Sequence, residues 1–380
     1  MLLQKPAFLL FYHARAAEAS FGEWLGVLWH GLSLDCTVAG YVTAFPVLVA
    51  LASFWIPLSQ RVWRIVLTVY FSLIALVTAA IFAVDLNLYG YWGFRLDGSV
   101  LIYLSDPGEA LASASWGEVL RQILIMLVYA GAMIWSYRWI LRLFRVEPVP
   151  LRGRIVPTVA TLLIGGLTFL AIRGGVTVAT ANVSKVYFSS NMFLNHAATN
   201  PVFSFLSSVG DNENYAEAYP FFEEERRKTL FEELRGNRPG ADAGTPRLLR
   251  SDRPNVVLIL LESFGRTIMD ETVNGEPVMP NMQRFKREGV WFENFFANSF
   301  RTDRGQVAVL CGFPAQTTMS IMKLPRKSAT LPSLARSLGR EGYRSVFMYG
   351  GDLNFTNQAS FMYSTCLLYT SPSPRDRSLS

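Results

Sequence analysis

Long apolar runs separated by short polar loops dominate the first half of the chain. A transmembrane helix needs roughly 20 apolar residues, and four runs reach that length: 36–56, 62–84, 119–137 and 155–172. The opening LLQKPAFLLFY is apolar but too short to span. We interpret residues 1–12 as an interfacial anchor, or as a partial span whose beginning is missing. Residues 1–173 are therefore predicted to form an α-helical transmembrane domain.

Arginines in the loops predict the orientation of these spans. Arg61 and Arg64 follow the first run, and five further arginines lie between residues 138 and 154. The loop between the second and third runs contains only Arg95 against several acidic residues. Because cytoplasmic loops are enriched in Lys and Arg, we expect the chain after residue 172 to lie outside a cytoplasmic (inner) membrane that it crosses several times.

Residues 174–253 are predicted to be an extracytoplasmic connector. NPVFSFLSS is apolar enough to lie along the membrane surface, and FFEEERRKTLFEELRG has the charge spacing of a solvated helix. GNRPGADAGTPRLLRSDRPN is rich in Pro and Gly and is typical of a linker.

The second half shows a different periodicity, in which short β-rich runs alternate with helical ones. NVVLILLESF, VWFENFFA and RSVFMYGG predict three strands, the first buried on both faces of a parallel sheet. Helices are expected over MPNMQRFKREG, from Thr302 to about Leu310, and over TLPSLARSLGREGY. This alternation predicts an α/β domain, in which ligands gather at the carboxyl ends of the strands.

Composition supports the division into a membrane domain and an α/β domain, and it argues against a nucleic-acid-binding protein. Hydrophobic residues make up 51% of the 380 residues and charged residues 17%, with a mean hydropathy of +0.25. These values indicate a membrane protein. The net charge of +6 is modest, and its excess lies near apolar segments, which argues against a nucleic-acid partner. The three cysteines have no metal-binding spacing.

Candidate chemistry lies at the ends of the first two predicted strands. Glu262 could bind a hard cation, and Thr302 lies at a predicted helix start, where backbone N–H groups favour an anion. A metal beside the hydroxyl could activate it for attack on phosphorus, with Arg301 or Arg304 binding phosphoryl oxygens. Two plainer interpretations stay open: Glu262 as a solvated loop residue, and Thr302 as a helix N-cap.

The second half resembles lipoteichoic acid synthase and related phosphoglycerol transferases, in the sulfatase-like branch of the alkaline phosphatase superfamily. The resemblance covers residues 254–365 and is carried by PNVVLILLESF, MPNMQRFKREGVWFENFFANSFRTDRG, LCGFPAQ and LPSLARSLGREGYRSVFMYGGDLNFTN. It implies that Glu262 and Thr302 bind Mn²⁺ or Mg²⁺ and that Thr302 is the catalytic nucleophile. The substrate would be a lipid donor, and the acceptor a glycan, lipid or polymer.

Several features depart from the family pattern. A Phe-Trp-Asn-Arg run that helps those enzymes bind glycerol phosphate corresponds here to Phe355, Thr356, Asn357 and Gln358. Asn357 therefore remains a substrate-binding candidate, and the headgroup is open. MKLPRK is interpreted either as a site for an anionic headgroup or as a solvated basic loop.

The metal site is expected to be incomplete in this chain. The family completes it with an Asp-His pair, and no histidine follows His196. Residues 254–365 are therefore interpreted as the N-terminal part of the catalytic domain, and residues 366–380 as a non-native tail. We expect the chain as it stands to be inactive. Two alternatives to a transferase remain: a sulfate or phosphate ester hydrolase on the same fold, and a non-catalytic lipid- or glycan-binding membrane protein.

Overall fold

The computed structural model describes most of the chain and divides it into two compact units. The described residues are 1–98, 100–101, 115–145, 150–209, 222–235, 251–316, 320–365 and 368–370. The first unit contains residues 1–212 and 307–380, and the second contains residues 213–306. Each unit is described by itself below.

The amino-terminal part of the first unit is helical. Its α-helices are α1 (Gln4–Phe11), α2 (His13–Ala16), α3 (Phe21–Trp55), α4 (Gln60–Trp92), α5 (Trp116–Leu143), α6 (Ile155–Arg173), α7 (Met192–Ala198) and α8 (Pro201–Ser208). Among the described residues, α3, α4, α5 and α6 are long and apolar enough to cross a membrane. They correspond to the four predicted runs, so the helical membrane domain predicted from the sequence is confirmed.

Helix α3 begins well before the predicted start of its span at Cys36. Its N-cap is Ser20, which forms a capping box with Glu23. This reciprocal pair satisfies backbone N–H groups that the first turn leaves without partners. The helix therefore begins at Phe21 and includes the polar residues that precede the predicted span.

Side-chain contacts at both ends show that α4 and α5 run antiparallel. The Tyr91 hydroxyl donates to Glu118 Oε1 at 3.0 Å, near the end of α4 and the start of α5. At the other end, Gln60 Nε2 donates to the carbonyl of Phe144 at 3.1 Å. The Thr37 hydroxyl of α3 donates to the carbonyl of Ala171 at 3.0 Å, and this contact joins α3 to the end of α6.

Two buried ion pairs fasten the short helices and the loop after α4 to this bundle. Lys5 Nζ lies 2.6 Å from Asp35 Oδ2, and Arg95 Nη2 lies 3.1 Å from Asp85 Oδ2. Asn200 Nδ2 also donates to Asp35 Oδ1 at 2.7 Å. Because an unpaired charge is costly in an apolar interior, each charge is held by a partner on another segment.

The connector folds onto the same end of the bundle. After α6 it forms a 3-10 turn at Val183–Val186 and then α7 and α8. Phe193, Leu194 and Val202 are buried in one core with residues of α1, α3 and α4. The predicted surface segment NPVFSFLSS is thus a helix whose first turn is packed into the protein core.

The second unit contains α9 (Glu224–Arg235), α10 (Arg266–Met269), α11 (Pro280–Glu288) and a hairpin of β1 (Thr272–Val273) and β2 (Glu276–Pro277). The two strands pair antiparallel across Asn274 and Gly275, which both have positive φ. Two successive residues at positive φ match the tight turn that an Asn-Gly pair favours. Helix α12 (Thr302–Cys311) begins in this unit, and its residues from Val307 onward belong to the first unit.

Two strands predicted from the sequence are absent from this described region. Residues 254–261 and 290–292 form neither helix nor strand. Their apolar side chains are exposed, with Val257 82% and Ile259 72% accessible. A strand needs a neighbouring strand to pair its backbone N–H and C=O groups, and these segments have none among the described residues. The prediction that the first was a doubly buried strand was therefore wrong.

The rest of the first unit comes from the end of the chain. It contains α13 (Pro325–Ala329), α14 (Leu334–Arg340), β3 (Val346–Met348), α15 (Gln358–Ser364) and β4 (Leu368–Thr370). Strands β3 and β4 pair in parallel, which confirms a strand within RSVFMYGG. Strand β4 lies in the segment interpreted as a non-native tail, and the origin of that segment stays a prediction.

Hydrogen bonds join this region to the connector. Asn182 Nδ2 donates to the carbonyl of Asn354 at 2.6 Å. The backbone N–H of Ser360 donates to Ser184 Oγ at 3.1 Å. On its other side, α15 places Phe361 and Met362 in a small core with Val307, Leu310 and Met322.

Candidate active site

Thr302 is the first residue of α12, as the sequence predicted for a helix start. Asp303 follows in the first turn, where a negative charge interacts favourably with the helix dipole. The Thr302 side chain is exposed to solvent. A hydroxyl at this position is accessible to a substrate and lies at the helix end that favours anions.

Glu262 is brought into direct contact with this threonine. The Thr302 hydroxyl donates to Glu262 Oε2 at 2.7 Å, across 40 residues of sequence. A short O–H···O⁻ hydrogen bond is charge-assisted and orients the hydroxyl. Glu262 is exposed and lies in a turn, so its interpretation as a solvated loop residue stays open. The threonine hydroxyl is directed towards the carboxylate.

Ser263 is a neighbour of this pair that the sequence interpretation missed. Its hydroxyl donates to the other carboxylate oxygen, Glu262 Oε1, at 3.2 Å. Its φ is +53°, a left-handed conformation that is uncommon for a residue other than glycine. No hydropathy signal marks such a position, so the pattern of apolar residues could not have found it.

The two predicted arginines flank the threonine. Arg301 is exposed, and its Nε lies 4.0 Å from Asp303 Oδ1. The guanidinium carbon of Arg304 lies 5.8 Å from the centroid of the Phe300 ring. Arg301 directly precedes α12 and Arg304 lies in its first turn, so the positive charge of both would favour a phosphoryl group beside Thr302.

The residues present fit part of a divalent-cation site. Glu262 and Thr302 present oxygen atoms, which Mg²⁺ and Mn²⁺ prefer, and both side chains are exposed enough to leave room for water or phosphate oxygens. Within the described ranges, no group of three or more His, Cys, Asp or Glu side chains is placed to hold a metal ion. The pair could supply two oxygen ligands, and no third protein ligand is identified beside them in those ranges.

Asn357, the remaining substrate-binding candidate, belongs to the other compact unit. It is buried, has a φ of +64° and precedes α15. Its Oδ1 accepts a hydrogen bond from Ser184 Oγ at 3.5 Å. Its carbonyl accepts a hydrogen bond from Ser360 Oγ at 3.0 Å. Glu262 and Thr302 belong to the second unit, so Asn357 is not part of their pair.

These features define a class of protein: a helical membrane domain is followed by a segment that presents a carboxylate-bound threonine at a helix start. Residues 254–374 match the model of the Sulfatase family. The sequence resemblance to sulfatase-like proteins is thereby confirmed for this segment.

Proteins named phosphoglycerol transferase I from two strains of Xanthomonas campestris pv. campestris are similar to the chain. Each is 36% identical over 120 residues, which cover 30% of this chain and 17% of the relative. The match thus spans about one sixth of the relatives' length. No solved structure matches the chain significantly.

Proposed function

We propose that the chain carries the nucleophile of a transferase that moves a phosphoglycerol-type headgroup from a membrane lipid to a glycan, lipid or polymer acceptor. The observation that supports this most directly is the 2.7 Å hydrogen bond from Thr302 to Glu262. It places a carboxylate on the hydroxyl that the family resemblance marks as the nucleophile. The reaction would take place outside the cytoplasmic membrane, on the side predicted from the arginine distribution.

The proposed reaction has two substitution steps at phosphorus. In the first, Thr302 Oγ1 forms a bond to the headgroup phosphorus while the bond from phosphorus to the diacylglycerol oxygen breaks. The hydroxyl proton leaves towards Glu262 Oε2, and the diacylglycerol oxygen takes up a proton from solvent. An acceptor hydroxyl oxygen then forms a bond to phosphorus and loses its proton to solvent, while the bond from phosphorus to Thr302 Oγ1 breaks and that oxygen regains the proton held on Glu262.

The surrounding residues would bind and orient the reacting group. Arg301 and Arg304 would pair with the phosphoryl oxygens, and the helix start adds backbone N–H donors. Glu262 and Thr302 would hold a Mn²⁺ or Mg²⁺ ion, which when bound supplies positive charge next to the phosphoryl oxygens. Because only these two ligands are identified in the described ranges, we expect slow modification of Thr302 in this chain and no steady-state turnover.

The test is to incubate the detergent-solubilised chain with Mn²⁺ and phosphatidylglycerol carrying an isotopic label in the headgroup. We expect the label on Thr302 by peptide mass spectrometry, with an equal amount of diacylglycerol released. Thr302→Ala should remove the label, and Thr267→Ala, at another exposed threonine of the same unit, should keep it. Absence of label from the wild-type chain, or persistence of label in Thr302→Ala, would refute the nucleophile.

A hydrolase on the same fold is the second candidate, because water reaches the exposed threonine as readily as an acceptor does. Products separate the two functions. When the labelled chain is chased in a single turnover, a transferase passes the headgroup to an added glycan or lipid acceptor, and a hydrolase releases it as free glycerol phosphate whether or not acceptor is present. A binding protein would form neither product and would retain lipid in Thr302→Ala.

A further inference from the structure

A cavity of about 520 Å³ lies in the first unit, where three parts of the chain meet. Phe94, Arg95 and Asp97 line it from the loop after α4, and the connector contributes residues from Val178 to Ser208. The basic segment Lys323–Lys327 and residues Thr356 and Asn357 complete the lining. The cavity therefore unites the MKLPRK motif with residues at the end of a membrane-spanning helix.

Positive charge exceeds negative charge around this cavity. Its lining contains four cations, Arg95, Lys323, Arg326 and Lys327, and among the described residues one acid, Asp97. Arg326 Nη1 lies 3.6 Å from Asp97 Oδ1, and Arg95 forms its ion pair with Asp85, which does not line the cavity. Lys323 and Lys327 are exposed and form no ion pair with any residue of the described ranges, so they leave a net positive field that favours an anion.

Buried polar groups in the wall add hydrogen-bonding capacity. Arg95 is only 5% exposed, yet its Nε and Nη1 have no hydrogen-bond partner within the described part of the chain. His196 Nε2 and Thr356 Oγ1 also have no hydrogen-bond partner within the described part of the chain. Because buried donors without acceptors are costly, a ligand with several acceptor oxygens suits this wall better than an apolar one.

The position of the cavity indicates that the anion is part of a lipid. Helix α4 ends at Trp92, and the Arg326 guanidinium carbon lies 4.1 Å from the centroid of the Trp92 ring. Tryptophan and basic residues at the end of a membrane helix mark the level of the lipid headgroups. Phe94 and Phe203 give the lining an apolar component beside the cations, as a headgroup joined to acyl chains requires.

We propose that this cavity binds the phosphate-bearing headgroup of an anionic membrane lipid, with Lys323 and Lys327 at its rim and Arg95 in its wall. The proposal does not rest on the chemistry at Thr302, which lies in the other unit. A protein without transferase activity would still bind the lipid here.

The test uses the full chain in detergent and short-chain lipids as probes, with binding measured by calorimetry. Phosphatidylglycerol with two hexanoyl chains should bind at least about tenfold more tightly than its phosphatidylcholine counterpart, since a tenfold ratio needs only about 1.4 kcal/mol. Lys323→Ala/Lys327→Ala should remove most of this preference. The matched control is Arg340→Ala/Arg344→Ala, which removes the same charge from exposed positions of the same unit and should change binding less than twofold.

Charge-conserving variants and salt separate binding from folding. Lys323→Arg/Lys327→Arg should keep the preference, and wild-type binding should weaken as salt rises. Equal affinity of phosphatidylglycerol and phosphatidylcholine, salt-independent binding, or unchanged affinity in the double alanine variant would each overturn the proposal. Inorganic phosphate that bound as tightly as phosphatidylglycerol would show a free-anion site and overturn the lipid assignment.

Discussion

Acid should destabilise the first unit through His196, which lies on α7 and is 4% exposed. Its Nδ1 is 3.1 Å from the Tyr89 hydroxyl, and its ring packs against Phe94 at 4.6 Å between centroids. Tyr187 also packs against the ring, and the charged group acting on it is Arg95. Burial, followed by the positive charge of Arg95, lowers the pKa of His196 from 6.5 to about 3.

The direction of the stability change depends on whether the folded or the unfolded chain binds a proton at His196. Between pH 6.5 and about 3, the unfolded chain protonates this histidine and the folded chain does not. The free energy of unfolding therefore falls as pH falls through this window, by about 1.4 kcal/mol per pH unit. From pH 7.5 to pH 5.0 the loss is about 2 kcal/mol, because nearly all of it accrues below pH 6.5. For a unit of this size the melting temperature should fall by about 3 °C.

Thermal unfolding in detergent, followed by tryptophan fluorescence at a series of pH values, measures this slope. His196→Gln cannot take up the proton and should flatten the dependence between pH 6.5 and 5, whatever its stability at pH 7.5. His13→Gln, at an exposed histidine, should keep the wild-type slope. An equal slope in His196→Gln and in the wild type would refute the reasoning.

Three further perturbations test packing and backbone conformation, the first two by thermal unfolding and the third by amide exchange. Lys5→Met leaves the Asp35 carboxylate in a buried site without its lysine and should lower the free energy of unfolding by about 3–5 kcal/mol. A second change, Asp35→Leu, should restore most of that stability. No recovery in the double variant would contradict the ion-pair argument. Gly31→Ala should destabilise the protein, because its new methyl would lie 1.9 Å from a lysine side-chain carbon and 2.7 Å from a backbone oxygen. The control Gly131→Ala meets nothing within 4 Å and should gain about 0.5–1 kcal/mol. Equal effects of the two substitutions would contradict this geometry. Gly275→Ala, at φ +84°, should loosen the β1–β2 hairpin by about 1 kcal/mol, seen as faster amide exchange there, and unchanged exchange would count against it.

The membrane helices were predictable because their signal is local. Each span is a run of apolar residues, and the predicted limits 155–172 agree closely with the helix Ile155–Arg173. The early start of α3 was not predictable in this way. Asp35 interrupts the apolar pattern, and its charge is satisfied by Lys5, thirty positions earlier in the sequence.

The predicted strands, in contrast to the membrane helices, could not be inferred from a local pattern. Hydropathy predicted that Val257 and Ile259 were buried, but burial depends on a neighbouring strand, which a local pattern cannot supply. The β1–β2 hairpin was missed although its Asn274-Gly275 turn carries a strong local signal, because the flanking strands have only two residues each.

The site was anticipated through resemblance more than through pattern. Spacing placed Glu262 and Thr302 at the ends of two predicted strands, and those strands are absent from the structure. The two side chains nevertheless lie within hydrogen-bonding distance. What the sequence could not reveal is the second contact on the carboxylate, since it depends on the positive φ of Ser263.

The hydrogen bonds between the connector and the region around α15 have a consequence for proteolytic processing. A cut after Arg253 would separate the polypeptide into two pieces, but Asn182 and Ser184 would still hold Asn354 and Ser360. The pieces would then stay together as a nicked protein at the membrane instead of releasing a soluble fragment. Secretion of the carboxyl-terminal piece would require these contacts to exchange for water and would expose the face of α15 that carries Ser360. Phe361 and Met362 would stay covered by Val307, Leu310 and Met322 of the same piece.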